Sequence, residues 1–357
     1  LQPEFQVFNP YYPNDTITFK MLMTHTSSIK DNWNILIPLV TCDDSPIPLD
    51  SFLVNYFTPG GIYYSPLNFN NYSPYGNYYN YSNSGACVLA YLIEKLSGMP
   101  FDQYCRENIF DPLDMDETSW FLEGLDTSKI ATPYDWIANQ YYANCQQGWP
   151  LYPIAFLRTN KIELSNFLST YMNHGTYNGT AILDSATISI MLSDQMGHPD
   201  PYGDYQGLIW YKTFYDGRWL WGHTGGWTYG TATAMFHVPE EDWGFMFFMN
   251  TYPDAPAFWG IFQALSDYAI EWQIPVELTS FRASVQSNYV VLNWSTATET
   301  NNMRFEIERR NENSDFVLIG FVEGKGTTTE QQEYSYVDRN VTTGKYYYRL
   351  KQIDFNG

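Results

Sequence analysis

The stretch GLIWYKTFYDGRWLWGHTGGWTYGTATAMFHVPEEDWGFMFFMN, residues 207–250, decides the fold. GLIWYKTFY and RWLWGHTGG flank Asp216-Gly217, the dipeptide that supplies two positive φ values in a type I′ hairpin turn. TATAMFHV and WGFMFFMN follow, joined by PEED, and APAFWGIFQALSDYAIEW then reads as a helix. Successive strands joined by tight turns form an antiparallel sheet, and helices must cover its apolar faces.

The covering helices are legible upstream. Ser82-Asn83-Ser84 are good N-cap types, and GACVLAYLIEKLSG after them puts Val88, Leu89, Leu92, Ile93 and Leu96 on one face, with Gly98 as the C-cap. Pro100, tolerated in a first turn, opens a further helix, PFDQYCRENIF. Beyond Glu277 the pattern changes to strands alone: LTSFRASV, YVVLNWSTA, RFEIERR, FVLIGFV, YSYVD and KYYYRLKQID, the signature of a β-sandwich. The expectation is therefore an α+β domain over residues 1–274 and an all-β sandwich over residues 277–357, with QIPV (273–276) as the linker.

Composition narrows the function classes. With 39 acidic against 18 basic side chains the net charge is −21, and no dense Lys/Arg cluster tracks a phosphate backbone, so nucleic acid is excluded as a partner. No apolar run approaches the roughly 20 residues of a membrane span. The opening LQPEFQVFNPYYPND reads as mid-loop and the closing KYYYRLKQIDFNG stops just after a strand, so both ends read as cut, with room for a signal peptide upstream. Cys42, Cys87, Cys105 and Cys145 show no C-x-x-C pair and no His at ligand spacing, so no metal or cofactor is expected; Cys87 and Cys105 read as buried thiols. Cysteine usage leaves the compartment open.

Three short motifs bear on chemistry. Ser27-x-x-Lys30 matches a nucleophile pattern literally. Yet Ser27 follows the helical stretch ITFKMLMTH, at the end where the dipole has the wrong sign for an oxyanion, and is therefore not the nucleophile. Tyr-x-Asn recurs along the chain, with Tyr75, Tyr78, Tyr81, Tyr142 and Tyr171 among its starts, and only Tyr81-Ser82-Asn83 sits just before a long amphipathic helix. His223-Thr224-Gly225-Gly226 heads a strand whose glycines let another backbone approach closely, as an extended substrate must. The Asn/Tyr-rich run NFNNYSPYGNYYNYSN, residues 68–83, reads as an ordered loop or as a polar-aromatic rim for a ligand.

ITFKMLMTHTSSI, the segment YSNSGACVLAYLIEKLSGMPFDQYCRENIFDPLDMDETSW, LSTYMNHGTYNGTAIL and WGHTGGWTYGTATAMF occur in one order. In that order the chain resembles the serine β-lactamase and penicillin-binding-protein-like family, on its class C and esterase side, over roughly residues 5–272. The resemblance implies a β-lactamase/transpeptidase-like fold and a serine acyl hydrolase working through an acyl-enzyme. It assigns Tyr81 to proton relay, helped by a lysine cation that lowers its pKa, and Asn83 to the substrate amide and that lysine. His223, Thr224 and Gly225 line the substrate strand, and the Gly226 N–H is an oxyanion donor. THTSSI resembles a family turn well downstream of the nucleophile, which places the true Ser and Lys before Leu1. Ser28 stands where glycine is usual, at a backbone cost if the turn needs positive φ.

His223 replaces the usual lysine and is only partly cationic at neutral pH, which favours esters or D-amino-acid amides over β-lactams. His25 is expected to hydrogen-bond structurally, and His174, His198 and His237 to be surface or satisfied core residues. Residues 277–357 resemble the fibronectin type III-like module of secreted Bacteroidota proteins, which implies a secreted, periplasmic or cell-surface location with attachment through that module. The expected partner is a small or peptide-like acyl substrate. The alternative is a catalytically silent relative that serves as a cell-surface binding module.

Overall fold

The computed structural model describes residues 5–75, 78–227, 229–271, 276–312 and 314–355. It divides into two compact units, Leu1–Ala269 and Ile270–Gly357. Residues 273–275 of the expected linker lie outside the described residues.

In the first unit, β1 (Tyr205–Gln206), β2 (Tyr211–Tyr215), β3 (Arg218–Trp227), β4 (Thr231–Val238) and β5 (Trp243–Met249) form one antiparallel sheet in the order β5-β4-β3-β2-β1. Asp216 at φ 46° and Gly217 at φ 78° make the expected type I′ turn between β2 and β3. GLIWYKTFY is not strand throughout: Ile209 has φ 70°, and pairing with β3 begins at Tyr211.

Alternation along the strands sends neighbouring residues to opposite faces. On one face Phe236 and Phe245 meet Phe262, which is fully buried on the helix Ala255–Glu271. On the other, Met235 and Met246 pack into a cluster with Leu168 and Tyr171 from the helix Lys161–Met172. Burying a phenylalanine such as Phe262 contributes about 1.5–3 kcal/mol, so each cover helix is held by a few such side chains.

The helix Asn83–Ser97 begins at its expected cap: the Ser82 hydroxyl accepts from Gly85 N–H, and Gly98 at φ 75° ends it. Its buried stripe is rotated from the one expected. Ser84, Cys87, Val88 and Tyr91 are buried, whereas Leu96 is 80% exposed. The small residues of the first turn let the helix pack closely there, and its last turn runs out into solvent. Phe101–Cys105 is helical, with Pro100 as its N-cap residue.

The second unit is all-β: Val276–Val285, Val290–Asn311, Val317–Thr328, Gln332–Asp338 and Tyr346–Asp354. One 22-residue strand organises it. Its first half pairs with Val276–Val285 and Gln332–Asp338, its second with Val317–Thr328 and Tyr346–Asp354. The pairing changes around Asn301, at φ 54°, beside the buried Glu299, whose carboxylate accepts from Thr296, Asn302, the Lys325 N–H and Tyr334. Leu292, Trp294, Phe305 and Ile307 form the core.

Candidate active site

Two segments converge on the start of the helix Asn83–Ser97. The first is the turn that follows the short helix Phe19–Met23. His25 and Ser28 there have φ of 56° and 61°, so the turn does require positive φ at Ser28. The Ser28 hydroxyl accepts from Asn9 Nδ2 at 2.9 Å, which ties the strained residue down.

The turn grips Tyr81-Ser82-Asn83. His25 Nδ1 accepts from Ser82 N–H at 3.2 Å, its carbonyl accepts from Asn80 N–H at 2.8 Å, and its ring lies 4.3 Å from that of Tyr81. A backbone N–H only donates, so Nδ1 must carry the lone pair and the ring is neutral. Burial, and after it the neighbouring His223, holds the His25 pKa at about 3. His25 is thus the structural hydrogen-bonder expected. Six residues on, the Asp31 carboxylate accepts from Asn83 N–H at 2.9 Å, Asn83 Nδ2 at 2.8 Å and Ser84 N–H at 2.8 Å.

The second segment is the end of β3. β2 stops against Gly222, so among the described residues His223 to Trp227 pair only with β4 and the other edge of the strand is free. His223 stands on that edge, its ring 6.0 Å from Tyr81 and 5.4 Å from Tyr211. His223 Nδ1 lies 2.6 Å from the Thr224 carbonyl, which can only accept, so Nδ1 carries the proton and Nε2 is the ring's acceptor. Burial lowers the His223 pKa against the smaller upward push of that bond. The Tyr211 hydroxyl donates to Thr224 Oγ1 at 3.3 Å. A side chain at Gly226 would put its Cβ 2.9 Å from the Tyr252 ring.

Tyr81 departs from expectation in its electrostatics. Desolvation first, then Asp31, Tyr211 and Cys87, all push its phenol up, even with 43% of its surface exposed, whereas a proton relay needs the opposite direction. Burial likewise raises Tyr211 to about 12.

Tyr81 and His223 therefore come together, Asn83 lies two residues beyond Tyr81 at the start of the helix, and Thr224, Gly225 and Gly226 continue along the same strand. Ser27 does not join them: it is buried, 3.5 Å from where a Cβ on Gly85 would stand. Of the rim run 68–83, Asn68 is buried as structure while Tyr75 and Tyr78 are exposed. Sequence reading missed Asp31, Tyr211 and Tyr252, which no local motif marks.

Among the described residues no group of three His, Cys, Asp or Glu could hold a metal ion. Cys42 and Cys145 form a disulfide, while Cys87 and Cys105 are free and buried. His174 and His198 are exposed. His237 is buried but not satisfied, because its Nδ1 finds no partner among the described residues. No described helix is long and apolar enough to cross a membrane.

Several known proteins are similar to this chain. Penicillin-binding protein 4* of Bacillus subtilis (strain 168) is 26% identical over 200 residues, 54% of this chain and 38% of that protein. Putative penicillin-binding protein PbpX of the same organism is 29% identical over 137 residues, 35% of this chain and 30% of the relative. The chain thus matches well under two thirds of either relative's length. Among solved structures, a penicillin-binding protein from Bacillus halodurans superposes with TM-score 0.53 at 20% identity, covering 72% of this chain and 74% of its own. A D-amino acid amidase from Ochrobactrum anthropi SV3 complexed with D-phenylalanine does so with TM-score 0.53 at 18% identity, covering 73% and 79%. At these identities the superpositions establish the fold. The beta-lactamase family model matches residues 7–265, more than half of the sequence, and the chain belongs to that family of serine hydrolases.

Proposed function

We propose that this chain is the body of a secreted serine acyl hydrolase that cleaves esters or amides of small or peptide-like acyl compounds through an acyl-enzyme. The observation that carries the reading is the meeting of Tyr81 and His223, ring centroids 6.0 Å apart, at the foot of the helix Asn83–Ser97 and beside the free edge of β3. An extended substrate hydrogen-bonds that edge, Asn83 contacts its amide, and Gly226 N–H stabilises the oxyanion. On this reading the attacking serine is one that precedes Leu1, where the resemblance of THTSSI to a turn downstream of the nucleophile puts it; Ser27 itself is buried. Tyr81, pushed up by its surroundings, relays the serine proton only once a cation sits beside it.

His223, held neutral by burial, supplies no fixed cation for a substrate carboxylate, which favours esters and D-amino-acid amides over β-lactams. The name of the amidase from Ochrobactrum anthropi agrees with that class. Secretion is supported by the Cys42–Cys145 disulfide, a bond that persists in oxidising compartments. The second unit serves as a fibronectin type III-like module, a reading supported by its two sets of three strands sharing one long strand; its use in cell-surface attachment rests on the resemblance of residues 277–357 alone.

The test is to produce the natural gene product together with the coding sequence that precedes Leu1 and expose it to a fluorophosphonate probe and a fluorescent penicillin. Labelling of one serine by the fluorophosphonate, with weak or no penicillin labelling, is expected. No labelling by either probe makes the chain a silent relative that binds through the same cleft.

A further inference from the structure

We propose that Asp31 is a positioning residue that fixes the Asn83 side-chain amide in one orientation, leaving Oδ1 as the end that meets a ligand. The cleft therefore takes a hydrogen-bond donor at that point, either the lysine ammonium that the family resemblance places on Asn83 or a substrate N–H. That ligand preference rests on the acyl-hydrolase reading, whereas the fixing of Asn83 by Asp31 stands on geometry alone.

Asp31 is only 7% exposed, and it sits at the N-terminus of the helix Asn83–Ser97, where the first-turn N–H groups have no intrahelical partners. Its Oδ1 accepts from Ser84 N–H at 2.8 Å. Its Oδ2 accepts twice from a single residue, from Asn83 N–H at 2.9 Å and from Asn83 Nδ2 at 2.8 Å. An ordinary cap needs only the backbone bonds. The third bond reaches the side chain, and it removes the usual ambiguity of an amide, whose oxygen and nitrogen ends are nearly alike in shape. An ionised carboxylate only accepts, so the end of Asn83 that faces Asp31 must be the NH₂. Oδ1 then points away from Asp31, and among the described residues it has no hydrogen-bond partner.

The chain has reason to hold this amide firmly. Asn83 is half-buried and begins a helix whose preceding residue, Ser82, is fixed by His25 and whose third residue, Gly85, is fixed by Ser82. Backbone position is thus secured twice without Asp31, and what Asp31 adds is the side-chain orientation. The same orientation sets what the cleft accepts: a carbonyl presented by a ligand finds no donor at Oδ1, whereas an N–H or ammonium finds a lone pair.

The experiment uses the full chain with ¹⁵N-labelled asparagine. The NH₂ pair of Asn83, identified by its loss in Asn83→Asp, is expected to show one proton shifted downfield and slow exchange with water, as a charge-assisted bond imposes. Asp31→Asn should move that proton upfield and speed its exchange, and Asp31→Ser, which keeps a capping oxygen, should do the same with the helix intact. An unmoved resonance in both variants overturns the proposal. In the gene product carrying its upstream segment, Asp31→Asn should slow fluorophosphonate labelling at least tenfold, and should add nothing in an Asn83→Ala background. Equal losses in both backgrounds make Asp31 a cap only and overturn the positioning role. If the parent protein is never labelled while the Asn83 resonance behaves as expected, the acyl-hydrolase reading falls and the fixing of Asn83 by Asp31 stands.

Discussion

His25 Nδ1 accepts the Ser82 N–H at 3.2 Å while the His25 ring lies 4.3 Å from that of Tyr81. One buried imidazole therefore holds both the backbone and the ring of the segment that enters the cleft. His25→Ala leaves the Ser82 N–H without its partner, a loss of about 1–3 kcal/mol in unfolding free energy. Denaturant titration checks this, and a loss under half a kilocalorie would show that water replaces the imidazole.

Acid should weaken the first unit before its carboxylates protonate. His25 is held at about 3 and His237 at about 4, both by burial, and His223 is lowered as well. A histidine near 6.5 when unfolded takes up a proton there that the folded state refuses, so stability is full above pH 6.5 and falls as the pH drops towards 4. Each histidine contributes up to about 1.4 kcal/mol per pH unit. Unfolding measured at pH 7, 6 and 5 should show that slope, and His237→Gln should reduce it by one proton's worth. A flat line from pH 7 to 5 refutes the account.

His223→Lys brings a fixed charge to a position where the parent ring is neutral above pH 6.5. A charge-assisted bond to a carboxylate contributes about 1.5–3 kcal/mol, so binding of carboxylate-bearing acyl compounds should tighten by roughly 10- to 100-fold. The activity profile should lose its inflection below pH 6.5 at the same time. Isothermal titration with a carboxylate ligand and a pH series read the two effects, and an unchanged profile removes His223 from the site.

Gly226→Ala forces a Cβ to within 2.9 Å of the Tyr252 ring and so displaces either the ring or the strand edge. If the Gly226 N–H stabilises an oxyanion, displacing it should slow acylation by about 10²- to 10³-fold. Stability should change far less, because Gly226 is exposed. Rates near the parent's would remove the strand edge from the reaction.

Cys42 and Cys145 are 103 residues apart in sequence, and a cross-link closing a loop of about 100 residues contributes on the order of 4–5 kcal/mol in the chain-entropy account. A Cys42→Ser, Cys145→Ser double variant should lose stability on that scale, and the parent should lose it on reduction. Insensitivity to reductant would show that the bond adds little to folding.

How much of this was legible depended on whether the signal was local. The type I′ turn at Asp216-Gly217, the Ser82 cap and the Gly98 stop each follow from the conformational preferences of one or two residues, and the structure has them where sequence placed them. The buried stripe of the Asn83–Ser97 helix was misread because periodicity counts apolar residues, whereas close packing buried Ser84 and Cys87 and left Leu96 in solvent. Tyr81 and Asn83 stood out through their place before a helix. Asp31 did not, because a carboxylate 52 residues away in sequence gives no periodic or motif signal before the chain has folded. The direction of the Tyr81 shift was equally hidden, since it comes from burial and from Asp31 and Tyr211, brought beside it by folding.

In the second unit, among the described residues, each strand pair includes the strand Val290–Asn311. Pulling out that one strand would strip all four of the others of their shared partner at once. Under tension along that strand, or under proteolysis, this unit should behave as a single all-or-none fuse rather than yielding in stages.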